Sequence, residues 1–93
     1  MSRHTPGPWE TRLDEPYWLR VFGSDGHAIA KVYLDDAPVE DYNTRQEANA
    51  RLIAAAPELL QALKGVVYIA NRETVEFDAA RAAIAKAEGR EQP

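Results

Sequence analysis

Residues 47–67 read EANARLIAAAPELLQALKGVV. Leu52, Ala56, Leu59, Leu63, Val66 and Ala70 follow one another at steps of four and three, with Ile53, Leu60 and Val67 beside them. Such spacing lays an apolar stripe along one side of an α-helix. The stripe passes Pro57 without losing phase. Yet Pro57 lacks an amide hydrogen and its ring opposes the carbonyl of Ile53, at a cost of ~3 kcal/mol inside a straight helix. It also biases Ala56 toward extended angles. Proline is favoured in the first turn of a helix, and there Glu58 would meet the positive end of the helix dipole. The reading is therefore two helices, about 44–55 and 57–71, broken between Ala56 and Pro57. A single kinked helix is the alternative. The stripe over 52–70 either covers a sheet or, with its 3.5-like spacing, forms the seam of a homodimer.

The sequence on either side supplies the rest of the fold. Upstream, TRQE at 44–47 is a capping box: Thr44 accepts from the amide of Glu47 and Glu47 reaches back to the amide of Thr44. Downstream, NRET breaks the helix and a third one is expected over about 75–88. Its apolar face is Phe77, Ala80, Ala83 or Ile84, and Ala87, and Gly89 stops it.

The first third alternates as strands do. Trp9, Thr11 and Leu13 face one way in a strand of about 8–13. In the next, 17–23, Tyr17, Leu19 and Val21 share one face, and Trp18, Arg20 and Phe22 the other. Asp25-Gly26 is a hairpin turn signal. A third strand, 27–34, carries Ala28, Ala30, Val32 and Leu34 on its apolar side. These strands make an antiparallel meander with one face open. The expected fold is α+β: a three-stranded antiparallel sheet followed by three helices. Residues 1–8 form an extended arm, 9–89 a single domain, and 90–93 a frayed tail.

Composition narrows the chemistry. The 93-residue chain has no cysteine, so it has no disulfide, thiolate nucleophile or cysteine metal site. A chain of this length buries roughly 60–68% of its unfolded surface, enough for one core but not for a deep dry cleft besides. No secretory leader is recognisable in MSRHTPGPWE. The stretch 48–70 contains Arg51, Pro57, Glu58, Gln61 and Lys64, which argues against a membrane span. The formal charge of −4 falls entirely in the first half of the chain. Direct nucleic-acid binding through a broad basic surface is disfavoured, and a cytoplasmic location is expected.

No catalytic set stands out. His4 and His27 have no metal-ligand spacing. Ser2 and Ser24 sit in an arm and a turn, not at a nucleophile elbow, and GSDG is not a phosphate loop. The chain is read as a non-enzyme without cofactor or metal. Two features point to binding instead. The acidic segment 35–42, with Asp35, Asp36, Glu40, Asp41 and Tyr42, is either a solvated loop or a contact for a basic partner surface. The aromatics Trp18 and Tyr33, on a sheet with one open face, either complete the core or serve as contact residues.

The blocks HTPGPW at 4–9, DGHAIAKVY at 25–33, EANARLIAAAPELLQAL at 47–63 and ARAAIAKA at 80–87 resemble a group of small phage and prophage proteins. The resemblance covers most of the chain. It implies an accessory phage gene acting in the bacterial cytoplasm, with an anti-CRISPR-like role as one form, and no catalytic residue is carried over. The expected function is thus a protein that inhibits a host defence complex, such as a CRISPR effector, by occupying a functional surface. An oligomeric small-ligand or nucleotide-signal sponge, binding between subunits with Arg3, Arg45 and Arg51 at the interface, is the alternative, and a metal-dependent hydrolase or nuclease built on Asp35 and Asp36 a second.

Overall fold

The computed structural model describes residues 4–15, 18–33 and 45–90, the side chains of Asp14, Glu15, Trp18 and Tyr33 excepted. The element order is β1 (Glu10–Glu15), β2 (Trp18–Phe22), β3 (Ala28–Tyr33), α1 (Arg45–Ala70) and α2 (Val75–Ala87). The three strands form one antiparallel sheet in the order β1-β2-β3. The α+β class and the meander expected from the alternation are both present.

The expectation of three helices is corrected. Residues 45–70 are one helix of 26 residues with Pro57 inside it. Ending a helix at Ala56 and starting another at Pro57 would leave the last carbonyls of one and the first amides of the next to find new partners. Keeping the helix whole sacrifices the single bond that Pro57 cannot donate. Ala54, Ala55 and Ala56 are the best of helix formers, and the apolar stripe stays in phase. Continuity costs less than the break.

The chain divides into two compact units, one of Thr5–Pro57 and one that joins His4 to the chain from Glu58 onward, so α1 gives its first half to one and its second half to the other. In the first unit, Leu19 and Val21 of β2 point to the buried face. Their partners across the strands are Leu13 and Thr11 on one side and Val32 and Ala30 on the other. Ala50 of α1 closes on Leu19, with Val32 packed against the pair. Only a small side chain lets a helix backbone come so near a sheet.

The β2–β3 hairpin turns at Gly23–His27. Gly26 donates to the carbonyl of Gly23 at 3.0 Å, and Gly23 donates to the carbonyl of His27 at 2.9 Å. Gly26 has φ of 84°, a left-handed angle that glycine adopts without penalty. Asp25 Oδ1 accepts from the amide of His27 at 3.0 Å. The register shifts between Val21 and Phe22, leaving Ile29 as the extra residue of a bulge.

The N-terminal segment lies against this turn. Ser24 Oγ donates to the carbonyl of Pro6, and Trp9 Nε1 to the carbonyl of Thr5, both at 3.0 Å. The Gly7-Pro8 peptide is cis. A Cβ on Gly23 would stand 2.5 Å from Thr5 Cγ2. TPGPW, residues 5–9, is thus a strap over the hairpin turn, and Gly23 makes room for it.

The second unit is a helical hairpin. Asn71, at φ of 32°, ends α1 in the left-handed region that asparagine tolerates. Thr74 caps α2: its Oγ1 accepts from the amide of Phe77 at 3.2 Å. At the far end Gly89, φ 74°, closes a Schellman motif. There Gly89 donates to the Lys86 carbonyl at 3.2 Å and Arg90 to that of Ala85 at 2.8 Å. Of the α2 face residues, Ile84 is the buried one, whereas Ala83 and Ala87 are exposed.

Candidate functional site

Three surfaces on the described residues carry chemistry or exposed apolar area. The first is the open face of the sheet. Arg12 is opposite Arg20, and Arg20 opposite Lys31, so the register lines up three cations across the strands. Like charges placed so cost stability unless acids answer them. Glu10 Oε2 lies 3.3 Å from Arg12 Nη2. The Arg12 guanidinium also stands 4.8 Å from the centre of the Phe22 ring, a cation–π contact. Trp18 and Tyr33 are backbone partners at the end of the β2–β3 ladder. The acidic segment, with Asp35, Asp36, Glu40, Asp41 and Tyr42, and also Thr44 and Arg3, lie outside the described residues.

The second surface is the groove between the two helices of the hairpin. Lys64, Val67, Tyr68, Arg81, Ile84 and Arg90 line a space of about 380 Å³. Glu88 is its counter-charge. Lys64 Nζ donates to Glu88 Oε2 at 2.6 Å, and Arg90 Nη2 to Glu88 Oε1 at 2.9 Å. The bond from Lys64, followed by that from Arg90, holds the Glu88 carboxyl below its ordinary value. Two cations thus share one carboxylate. Arg81 braces the turn between the helices. It donates to Asn71 Oδ1 and to Asp78 Oδ1, each at 2.7 Å.

The cations gathered here are not those singled out from the sequence. Arg51 is committed to Glu47 along α1 at 3.0 Å, and Arg45 is exposed at the start of that helix. Lys64 and Glu88 are far apart in the chain and meet only when α1 and α2 fold back on each other. Neither periodicity nor spacing announces that meeting.

The third surface is apolar. The half-buried side of α1 is made of Ile53, Leu60 and Val67 with Pro57 and Lys64, whereas Leu52, Leu59 and Val66 are exposed. Around the turn between the helices Tyr68 is 89% exposed, Ile69 85% and Val75 80%. By length and composition α1 is apolar enough to cross a membrane. Arg51, Glu58 and Lys64 lie within it, and the first and last of these are ion-paired to Glu47 and Glu88. Among the described residues no three His, Asp or Glu side chains come together as a metal site.

Compared with known protein families, residues 1–91 match the family model of Salmonella phage P22 protein Y8K6. The chain belongs to that family. It is a small phage accessory protein, as its sequence blocks imply. No curated protein and no solved structure matches it. The strap at 5–9, the turn at 23–27 and the whole of both helices lie within the span that matches the P22 Y8K6 family.

Proposed function

We propose that this member of the P22 Y8K6 family acts by binding rather than by catalysis, inhibiting a host defence complex by occupying a functional surface. A CRISPR effector is one such complex. The observation that carries the reading is the apolar tip of the helical hairpin. Tyr68, Ile69 and Val75 are each at least four-fifths exposed, and they come from the end of one helix and the start of the next. Large apolar side chains gathered on a surface mark protein contacts, and tyrosine is enriched among the residues that dominate binding. The proposed site of action is the bacterial cytoplasm.

The test is co-expression of the chain with an active defence system in bacteria, reading interference with incoming DNA and recovery of the effector on the tagged protein. Tyr68→Ser with Val75→Ser should abolish both while leaving helix content unchanged. Full inhibition by this double variant would refute the tip as the contact.

A second reading, the nucleotide sponge, is favoured by the groove between the helices. Lys64, Arg81 and Arg90 surround an apolar floor of Val67 and Ile84, with Tyr68 at the rim. Its size suits a small ligand, and an anionic ring compound would meet cations at one end and a stacking surface at the other. Calorimetric titration with nucleotides separates the readings: binding lost in Arg81→Ala, with no host protein recovered, would favour the sponge.

A further inference from the structure

We infer that α1 pairs with α1 of a second copy of this chain, antiparallel, about a two-fold axis beside Pro57. Leu52, Leu59 and Val66 recur every seventh residue of α1 and are 63%, 53% and 54% exposed. Ala48, Ala55 and Ala62 recur on the same side of the helix, exposed or half-exposed. Large residues at one heptad position and alanines at the other make a seam.

The order of large and small selects the partner. In the antiparallel arrangement Leu52 faces Ala62 of the second copy, Leu59 faces its Ala55, and Val66 faces its Ala48. The two-fold repeats each layer in reverse, so each of these layers sets a large side chain against a small one. Facing positions interdigitate best in that way. A parallel pair would put leucine against leucine and alanine against alanine, leaving crowding and gaps in turn. The surface is thus complementary to itself, as a two-fold interface must be.

Length and need agree with this. The layers run along about 27 Å of helix at about 1.5 Å per residue. With its flanks, a helix pair of that length buries on the order of the 1,000 Å² in total at which specific interfaces begin. The chain also has reason to associate. Among its described residues Leu19, Val21, Ala50 and Ile84 are the buried hydrophobics, a thin core of the kind that small domains supplement by oligomerising. Pro57 sits on the opposite, half-buried side of the helix, so its missing hydrogen bond stays out of the seam. Tyr68 and Val75 of the hairpin tip lie off the seam, whereas Ile69 continues the alanine column and faces Arg45 of the second copy, a layer without the large-against-small match. One feature opposes the pair: Glu58 flanks the axis and comes near Glu58 of the second copy.

Sedimentation equilibrium on the full chain tests the pairing. The wild-type chain should be a dimer. Leu59→Lys should weaken association by at least ~10-fold, since it withdraws a buried leucine, with helix content by circular dichroism unchanged. Glu58→Gln should tighten association by removing the repulsion at the axis. Because the chain lacks cysteine, single cysteines report the register. Ala56→Cys, beside the axis, should oxidise to a covalent dimer. Ala48→Cys should not, since the two copies of residue 48 would lie about 27 Å apart. A wild-type chain that stays monomeric at all concentrations would overturn the pairing. So would Ala48→Cys cross-linking as readily as Ala56→Cys, or monomers that float with neutral phospholipid vesicles and lose this in Leu59→Lys.

Discussion

The unit around the sheet and the helical hairpin use their apolar side chains in opposite ways. In the first, Val21 is wholly buried, Leu19 nearly so, and Ala50 of the helix is closed onto the strands. The strap at 5–9 is hydrogen-bonded to the turn it crosses. In the second, Ile84 is the buried hydrophobic, and Leu59, Val66, Tyr68, Ile69 and Val75 remain at the surface. What holds the hairpin at its two ends is polar: the shared carboxylate of Glu88, the Arg81 brace and the Thr74 cap. Surface ion pairs of this type contribute little. The sheet unit buries Val21 and Leu19 and leaves Leu13 and Leu52 at its surface, 58% and 63% exposed. The hairpin is built with its strongest apolar surface turned outward, which is the disposition of a binding element.

The contrast is sharpest in the core. Leu19→Ala should cost about 2–5 kcal/mol of unfolding free energy, as buried leucine truncations do. Leu59→Ala, on the outside of α1, should cost under ~1 kcal/mol in a dilute monomer. Equal losses, measured by urea unfolding at low protein concentration, would break the distinction. Pro57 marks the boundary between the units. Since the helix runs through it, Pro57→Ala should raise stability by about 1–3 kcal/mol through the restored amide and relieved ring clash. A fall in stability would mean that the proline ring's packing matters more than the lost bond.

Smaller effects refine the hairpin. Thr74→Ala should cost ~1 kcal/mol by removing the cap on Phe77. Glu88 gives the pH dependence. Its carboxyl is held below its ordinary value of 4.5 by Lys64 and Arg90. The contribution is therefore full above that value and is lost as pH falls below it, through the folded-state value. Glu88→Gln should remove this acid sensitivity from the hairpin and leave the sheet unit's unaffected. Acid unfolding followed by tryptophan fluorescence and by helix signal checks this, because both tryptophans, Trp9 and Trp18, lie in the sheet unit.

The sheet unit was legible because its signals are local. Alternation placed Leu19 and Val21 on one face, and Asp25-Gly26 marked the turn. The same local view misjudged Pro57, whose cost is fixed by neighbours but whose tolerance is set by the unbroken helix on either side. The strap was read as an irregular arm, since nothing in HTPGPW announces that Ser24 and Gly23 will receive it. The stripe expected on α1 was misplaced by one column: Leu52, Leu59 and Val66 are exposed, and the adjacent Ile53, Leu60 and Val67 are the half-buried residues. Which of its adjacent columns turns inward is decided by where Ala50 meets Leu19, a long-range fact. The groove of Lys64, Arg81 and Arg90 was invisible for the same reason, because it exists only once the two helices are antiparallel.

Hydrogen exchange, read by mass spectrometry at low and high protein concentration, tests the contrast between the two units most directly. The account predicts that amides of β1–β3 exchange at the same slow rate at both concentrations. Those of α1 from Glu58 to Ala70 should be poorly protected when dilute and gain protection as concentration rises. Strong protection of this segment at both concentrations, equal to that of the strands, would contradict the claim that the hairpin depends on a partner for its stability.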